Sequence, residues 1–262
     1  MVTFDVNADI VGETVPDGIR RAADLGVEAV EFFDWEGADL DAVEAACRAN
    51  DVDIAGLLAA GAGSNIDDRD APAPVNPYDR ETVVADIERS LAAAADIGAD
   101  ILIVTVGPNQ GGFDRDTQRR ALESVLSDVA PTAEDVGVTV VVEPLNTTVD
   151  HPGYFLTASR EACDITRSVG SDRVQVLFDV YHQQTTEGDL IRHLTDNVDQ
   201  VGHVHVADTP GRLEPGTGEI NYDTLLDALA DAGYDGYVGM EFSETSNGVS
   251  MTEAVESTLE LG

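Results

Sequence analysis

AEDVGVTVVVEP, residues 133–144, decides the fold. A polar, helix-compatible segment runs to Gly137, and five β-branched residues, Val138 to Val142, follow before Glu143. Glycine just past a helix is the left-handed terminator, and a parallel strand buried on both faces reads as an unbroken apolar run. The same unit recurs as AADLGVEAVEFF (22–33), AADIGADILIVTV (94–106), RSVGSDRVQVLFD (167–179), DNVDQVGHVHVAD (196–208) and ADAGYDGYVGMEF (230–242). Two less marked units, VTFDVN (2–7) and DVDIAGLL (51–58), bring the count to eight.

The pattern predicts strands near 2–6, 27–33, 52–58, 100–106, 138–143, 174–179, 201–206 and 237–242, with helices between them. In DLDAVEAACRAN, Leu40, Val43 and Cys47 share one helical face; Val83, Ile87, Leu91 and Ala95 do the same further on. Eight alternating units close into a barrel more readily than they form an open sheet, and 262 residues suit one undivided domain, 1–262. The expected fold is therefore a single α/β domain, a (β/α)₈ TIM barrel. Pro131 is expected to kink its helix or end it early. AAGAGSNIDDRDAPAPVNPYDR, residues 59–80, is the longest stretch without a pattern and reads equally as an idle surface loop or a lid.

Charge narrows the function. Fourteen basic residues, all Arg, stand against 51 acids for a net charge of −37. The acids are dispersed: in NYDTLLDALADAG, Asp223, Asp227 and Asp231 recur every four residues opposite Leu225, Leu226 and Leu229. Like charges at that spacing repel, and concentrated salt screens them, the Debye length falling to roughly 3 Å at 1 M. The acidity is thus expected to be a halophilic adaptation to a salt-rich cytoplasm. Dialysis into dilute buffer should cost helical ellipticity; a cooperative fold indifferent to salt would contradict that reading.

So negative a surface repels nucleic-acid phosphate, and the absence of Lys excludes Schiff-base chemistry and a P-loop. No run of about 18 apolar residues suggests a membrane span, and the N-terminus lacks a secretory pattern, so a cytoplasmic location is expected. Cys47 and Cys163 read as buried free thiols in a reducing compartment. The sequence leaves the oligomeric state open, a homo-oligomer included.

Polar residues at the C-terminal ends of barrel strands carry chemistry. Four successive strands end in a metal-type ligand: Glu143 in VVVEPLN, Asp179 in VLFDVYH, His205 in GHVHVAD and Glu241 in VGMEF. A lone strand-end carboxylate commonly caps the next helix. Four in succession around one axis predict convergence. Three carboxylates and an imidazole form a hard, anionic site suited to Mn²⁺ or Mg²⁺. His203 shares a strand face with His205 but lies further from the strand end, and reads as a core residue. His182 follows Asp179 by three residues, placed for substrate contact. Arg212, in the loop after strand seven, either pairs with neighbouring acids or grips a substrate carboxylate with its planar fork. Glu219, in the same loop, either binds substrate or orients Arg212. GTG at 216–218, GAG at 61–63 and the sequon Asn146-Thr147-Thr148 read as coincidences.

EPLNTTVDHPGYFLT, FDVYHQQTTEGDL, GHVHVADTPGRLEPGTGEINYDTL and GYDGYVGMEF together resemble the hydroxypyruvate isomerase family of the xylose-isomerase-like barrel superfamily. The likeness is specific from about residue 138 to 242 and continues more weakly through NADIVGE and GVEAVEFF. It implies a divalent-metal aldose–ketose isomerase taking a small-molecule 2-oxo acid, hydroxypyruvate, to tartronate semialdehyde. It also implies Glu143, Asp179, His205 and Glu241 as metal ligands, with Glu143 and Glu241 as the catalytic pair that handles protons. Ketose 3-epimerases and 2-oxo-tetronate isomerases of the same superfamily are the neighbouring readings. An abasic-site endonuclease shares the barrel, but its zinc site draws on first-half histidines, and no His precedes His151 here. Three departures stand out, the first mainly tuning the metal and the others bearing on the substrate. The family often has Gln where His205 stands, relatives often have a His in the segment IAGLLAAGAG, and relatives tend to place Lys where Ser243 and Glu244 stand.

Overall fold

In the computed structural model, residues 2–242, 245–246 and 248–261 are described, so Ser243 and Glu244 lie outside the described residues. Eight parallel strands close in sequence order: β1 (Thr3–Asn7), β2 (Ala29–Phe32), β3 (Asp53–Leu58), β4 (Ile101–Val104), β5 (Thr139–Val142), β6 (Val174–Asp179), β7 (Val201–Val206) and β8 (Tyr237–Met240). β1 pairs with β8 to complete the (β/α)₈ barrel. Helices cover its outside, burying Val43 and Cys47 from 40–50, and Val83, Ile87 and Leu91 from 80–97. Both cysteines are free and buried. Gly137 ends its helix at φ 79°, in the left-handed conformation the sequence pattern requires.

Three local features differ from the sequence expectations. Helix Arg115–Val136 continues through Pro131 for another five residues, because its buried face, including Val125, Leu126, Val129 and Ala133, keeps it seated on the barrel. Gly202 does not end a helix. It lies within β7, where a β-carbon would come within 2.6 Å of the Gln175 side chain and 2.8 Å of that of Val141. The 59–80 segment is internally tied. The Asn65 side-chain NH₂ donates to the carbonyls of Asp68, Ala71 and Pro72, the Asn65 backbone carbonyl accepts from Thr105 Oγ1, and Ala73 and Val75 are buried.

The barrel interior is divided. Ile101, Ile103, Val141 and Leu177, on β4 to β6, form one apolar cluster. Asp5, Glu31, His203 and His205, on β1, β2 and β7, are all buried. Register sets a polar row: Asp179 pairs with His205, His205 with Gly239, and Gly239 with Asp5. Gly239 makes room in that row, since a β-carbon there would lie 2.8 Å from the His205 ring and 3.0 Å from His203 Nε2. No described helix is long and apolar enough to cross a membrane.

Candidate active site

The four strand-end residues meet. Glu143 directly follows β5, Asp179 ends β6, His205 lies in β7 and Glu241 directly follows β8. One ligand atom from each falls within 4.8 Å of all the others. Burial and its neighbours Glu241 and Asp179 push the Glu143 carboxyl well above its ordinary range. Burial would also raise Glu241, but Arg212 and His205 beside it carry it far below that range. Burial opposes charge on His205, yet Glu31 and Glu241 on its two sides hold the ring well above its usual value.

Acids crowded in a dry pocket repel one another, and each lost hydration shell must be replaced. Asp179 Oδ2 is buried without a hydrogen-bond partner, and His205 Nδ1 lies 2.9 Å from Glu241 Oε2 within the cluster. An oxygen-rich set with one imidazole and an unpartnered carboxylate oxygen fits a divalent cation.

His182 and Arg212 flank this centre. Asp179 Oδ1 accepts from the His182 backbone N–H at 2.7 Å, capping helix 180–186 and fixing the position of its ring. The Asn146 side-chain amide lies 2.7 Å from His182 Nδ1, and the Asn146 backbone N–H donates to the same nitrogen at 3.3 Å. Asn146 Oδ1 accepts from the Val149 and Asp150 amides, so its NH₂ group is the end that meets the histidine. Nδ1 is therefore the acceptor and Nε2 carries the proton. That N–H is buried without a partner, 3.9 Å from Asp179 Oδ2. Burial lowers the ring's pKa, so His182 is a neutral donor pointing into the site. Asn146 is fully buried, which removes the sequon from consideration and gives the residue a positioning role that sequence reading missed.

Arg212 Nη2 lies 2.7 Å from Glu241 Oε2 and 3.5 Å from Asp179 Oδ2, with its guanidinium 5.5 Å from the Tyr181 ring centre. Its backbone sits at φ 54°, a left-handed conformation that costs about 1 kcal/mol or more for a side chain of this size. The surrounding loop sustains it. Buried Asp208 accepts from the backbone N–H groups of Thr209, Gly216, Gly218 and Ile220 at 2.8 to 3.2 Å. The GTG segment thus has a purpose, since its glycine amides wrap a carboxylate of the chain itself. A β-carbon on Gly218 would strike the Thr209 carbonyl oxygen at 2.2 Å.

Glu219 is not brought into the cluster. It is exposed and accepts from Gln184 Nε2 at 3.1 Å, while Arg212 pairs with Glu241 and Asp179. His203 lies beneath His205, its Nε2 3.6 Å from Glu31 Oε2 and 3.9 Å from Asp5 Oδ1. Glu31 and Asp5 are further residues that sequence reading passed over. Their signal was a single acid at an inward position of an otherwise apolar strand.

Residues 19–260 match the model of the family described as xylose isomerase-like TIM barrel. The chain belongs to that family. A 2-oxo-tetronate isomerase of Cupriavidus necator is 38% identical over 156 residues, 60% of each chain. A hydroxypyruvate isomerase of Escherichia coli is 36% identical over 137 residues, 52% of this chain and 53% of that one. The matches thus span between half and three-fifths of those two relatives. Among solved structures, a family 2 AP endonuclease from Brucella melitensis superposes with a TM-score of 0.86 at 28% identity, covering 99% of this chain and 97% of that one. This xylose isomerase-like barrel carries the four-residue cluster at the ends of its last four strands.

Proposed function

We propose that this chain is a metal-dependent aldose–ketose isomerase of a short 2-oxo acid, converting hydroxypyruvate to tartronate semialdehyde. One observation carries the reading: four strand-end ligand atoms lie within 4.8 Å of one another, with Arg212 beside them. The names of the two relatives above support it.

The reaction moves a carbonyl by one carbon. A proton leaves C3 of hydroxypyruvate, an enediolate forms, a proton is returned at C2, and the C3 hydroxyl proton passes to the C2 oxygen. Glu143, Asp179, His205 and Glu241 would hold Mn²⁺ or Mg²⁺, which when bound stabilises negative charge developing on the substrate oxygens. Glu143 and Glu241 stand as the base and its counterpart, and their environments drive their proton affinities in opposite directions. His182 donates its Nε2 proton to a substrate oxygen. Arg212 binds the substrate carboxylate, its planar guanidinium suiting two parallel hydrogen bonds.

The four-carbon 2-oxo-tetronates form the second reading, favoured by the relative at 38% identity. Rates on hydroxypyruvate, on 2-oxo-tetronates and on free ketoses, measured in concentrated salt with one metal throughout, separate these readings. Highest kcat/KM on the three-carbon acid supports the proposal; turnover confined to ketoses overturns it.

A further inference from the structure

We propose that Glu31 is a positioning residue for the metal centre: it accepts the Nε2 proton of His205 and thereby turns the Nδ1 lone pair of that ring towards Glu143, Asp179 and Glu241. The inference rests on the metal-site reading above and assigns a role to a residue from the first half of the chain, on β2, that meets His205 across the barrel closure.

His205 has a neighbour at each ring nitrogen. Nε2 lies 3.0 Å from Glu31 Oε2, and Nδ1 lies 2.9 Å from Glu241 Oε2. The two flanking carboxylates favour a second proton on the metal-free ring, and a cation taking the place of that proton would leave a neutral imidazole, in which the partner at one nitrogen dictates the role of the other. Glu241 belongs to the cluster of three carboxylates and His205, whereas Glu31 groups with His203 and His205 alone, a set with one carboxylate where the other has three. With the proton on Nε2, a carboxylate accepts it and Nδ1 is free to ligate. With the proton on Nδ1, the Nε2 lone pair would face a carboxylate lone pair at hydrogen-bond distance in a dry interior, and the nitrogen aimed at the cluster could not bind a cation. Carboxylate, histidine and metal in series is a recurrent device that fixes the tautomer and strengthens the ligand.

Glu31 is built into this place. It is fully buried on β2, held in register opposite Asn7 of β1. Its Oε2 meets both histidines, while Oε1 has no hydrogen-bond partner. His203 backs it from below and packs edge-to-face against His205, ring centres 4.8 Å apart at 83°. The bare α-carbon of Gly239 leaves space for both rings.

The test uses the full chain in concentrated salt. Mn²⁺ is titrated calorimetrically into wild type, Glu31→Met and Glu31→Gln, and wild type labelled with ¹⁵N-histidine is loaded with diamagnetic Zn²⁺ for NMR. Met removes the acceptor at similar volume; Gln keeps an oxygen that can accept. The expected result is a fall in Mn²⁺ affinity of about 10- to 100-fold in Glu31→Met and a smaller loss in Glu31→Gln. In the spectrum, His205 should be protonated at Nε2 and metal-bound at Nδ1. Wild-type affinity in a folded Glu31→Met protein overturns the proposal, as does ligation through Nε2. If Glu31→Met does not fold, the Gln variant and the wild-type spectrum decide by the same criteria. Wild type that binds no Mn²⁺ overturns the metal-site reading and this inference together, whereas tight wild-type binding unchanged by the substitutions removes this inference alone.

Discussion

Replacing Glu241 with Gln is expected to lower kcat on the 2-oxo acid by about 10²- to 10⁴-fold, the range contributed by a positioned acid or base. Glutamine preserves size and keeps one oxygen that can ligate, but it cannot take up and return a proton. The structure makes the substitution informative, because Glu241 is where several forces meet. It is half-buried and faces Arg212 at 2.7 Å and His205 at 2.9 Å, neighbours that favour its ionised form. Mn²⁺ should still bind, more weakly, through Glu143, Asp179 and His205. Loss of turnover with retained binding, measured by steady-state kinetics and calorimetry on one preparation, separates proton handling from ligation. Substantial residual turnover would remove Glu241 from the proton relay.

Arg212→Ala should divide substrates by charge. Hydrogen bonds to a charged partner contribute about 1.5–3 kcal/mol each, so kcat/KM for a 2-oxo acid should fall by roughly 10- to 150-fold or more. A free ketose has no carboxylate, and its turnover should change far less. Arg212→Lys keeps the charge but loses the planar pair of donors, and should recover only part of the loss. Equal losses on acids and ketoses would mean that Arg212 acts through Glu241 and Asp179, its partners in the structure, and not on the substrate.

The barrel and its four convergent residues were legible because both depend on local periodicity. A glycine-terminated helix followed by a β-branched run reads the same wherever it occurs, and a strand end is visible in the chain. The layer beneath was not legible. Glu31 meets His205 because β1 and β8 bring β2 and β7 round to one side of the interior, and that register is a property of closure. A single acid in AVEFF looks like many others in so acidic a chain. Asn146 and the GTG glycines were misleading for a related reason. Each matched a familiar short motif, while its actual partners, His182 and Asp208, lie in another loop or at the loop's far end. Pro131 shows the converse case: local propensity predicted a break, and the packing of one long helical face prevailed over it.

The most direct test is an assay of hydroxypyruvate with protein purified in concentrated salt, stripped with chelator, and then reloaded or not with Mn²⁺ or Mg²⁺. Tartronate semialdehyde is followed by proton NMR. Product that appears on reloading and is absent from the stripped protein is the predicted result. Equal product with and without the ion, or none from folded, reloaded protein, would contradict the assignment of this site as a metal-dependent isomerase of hydroxypyruvate.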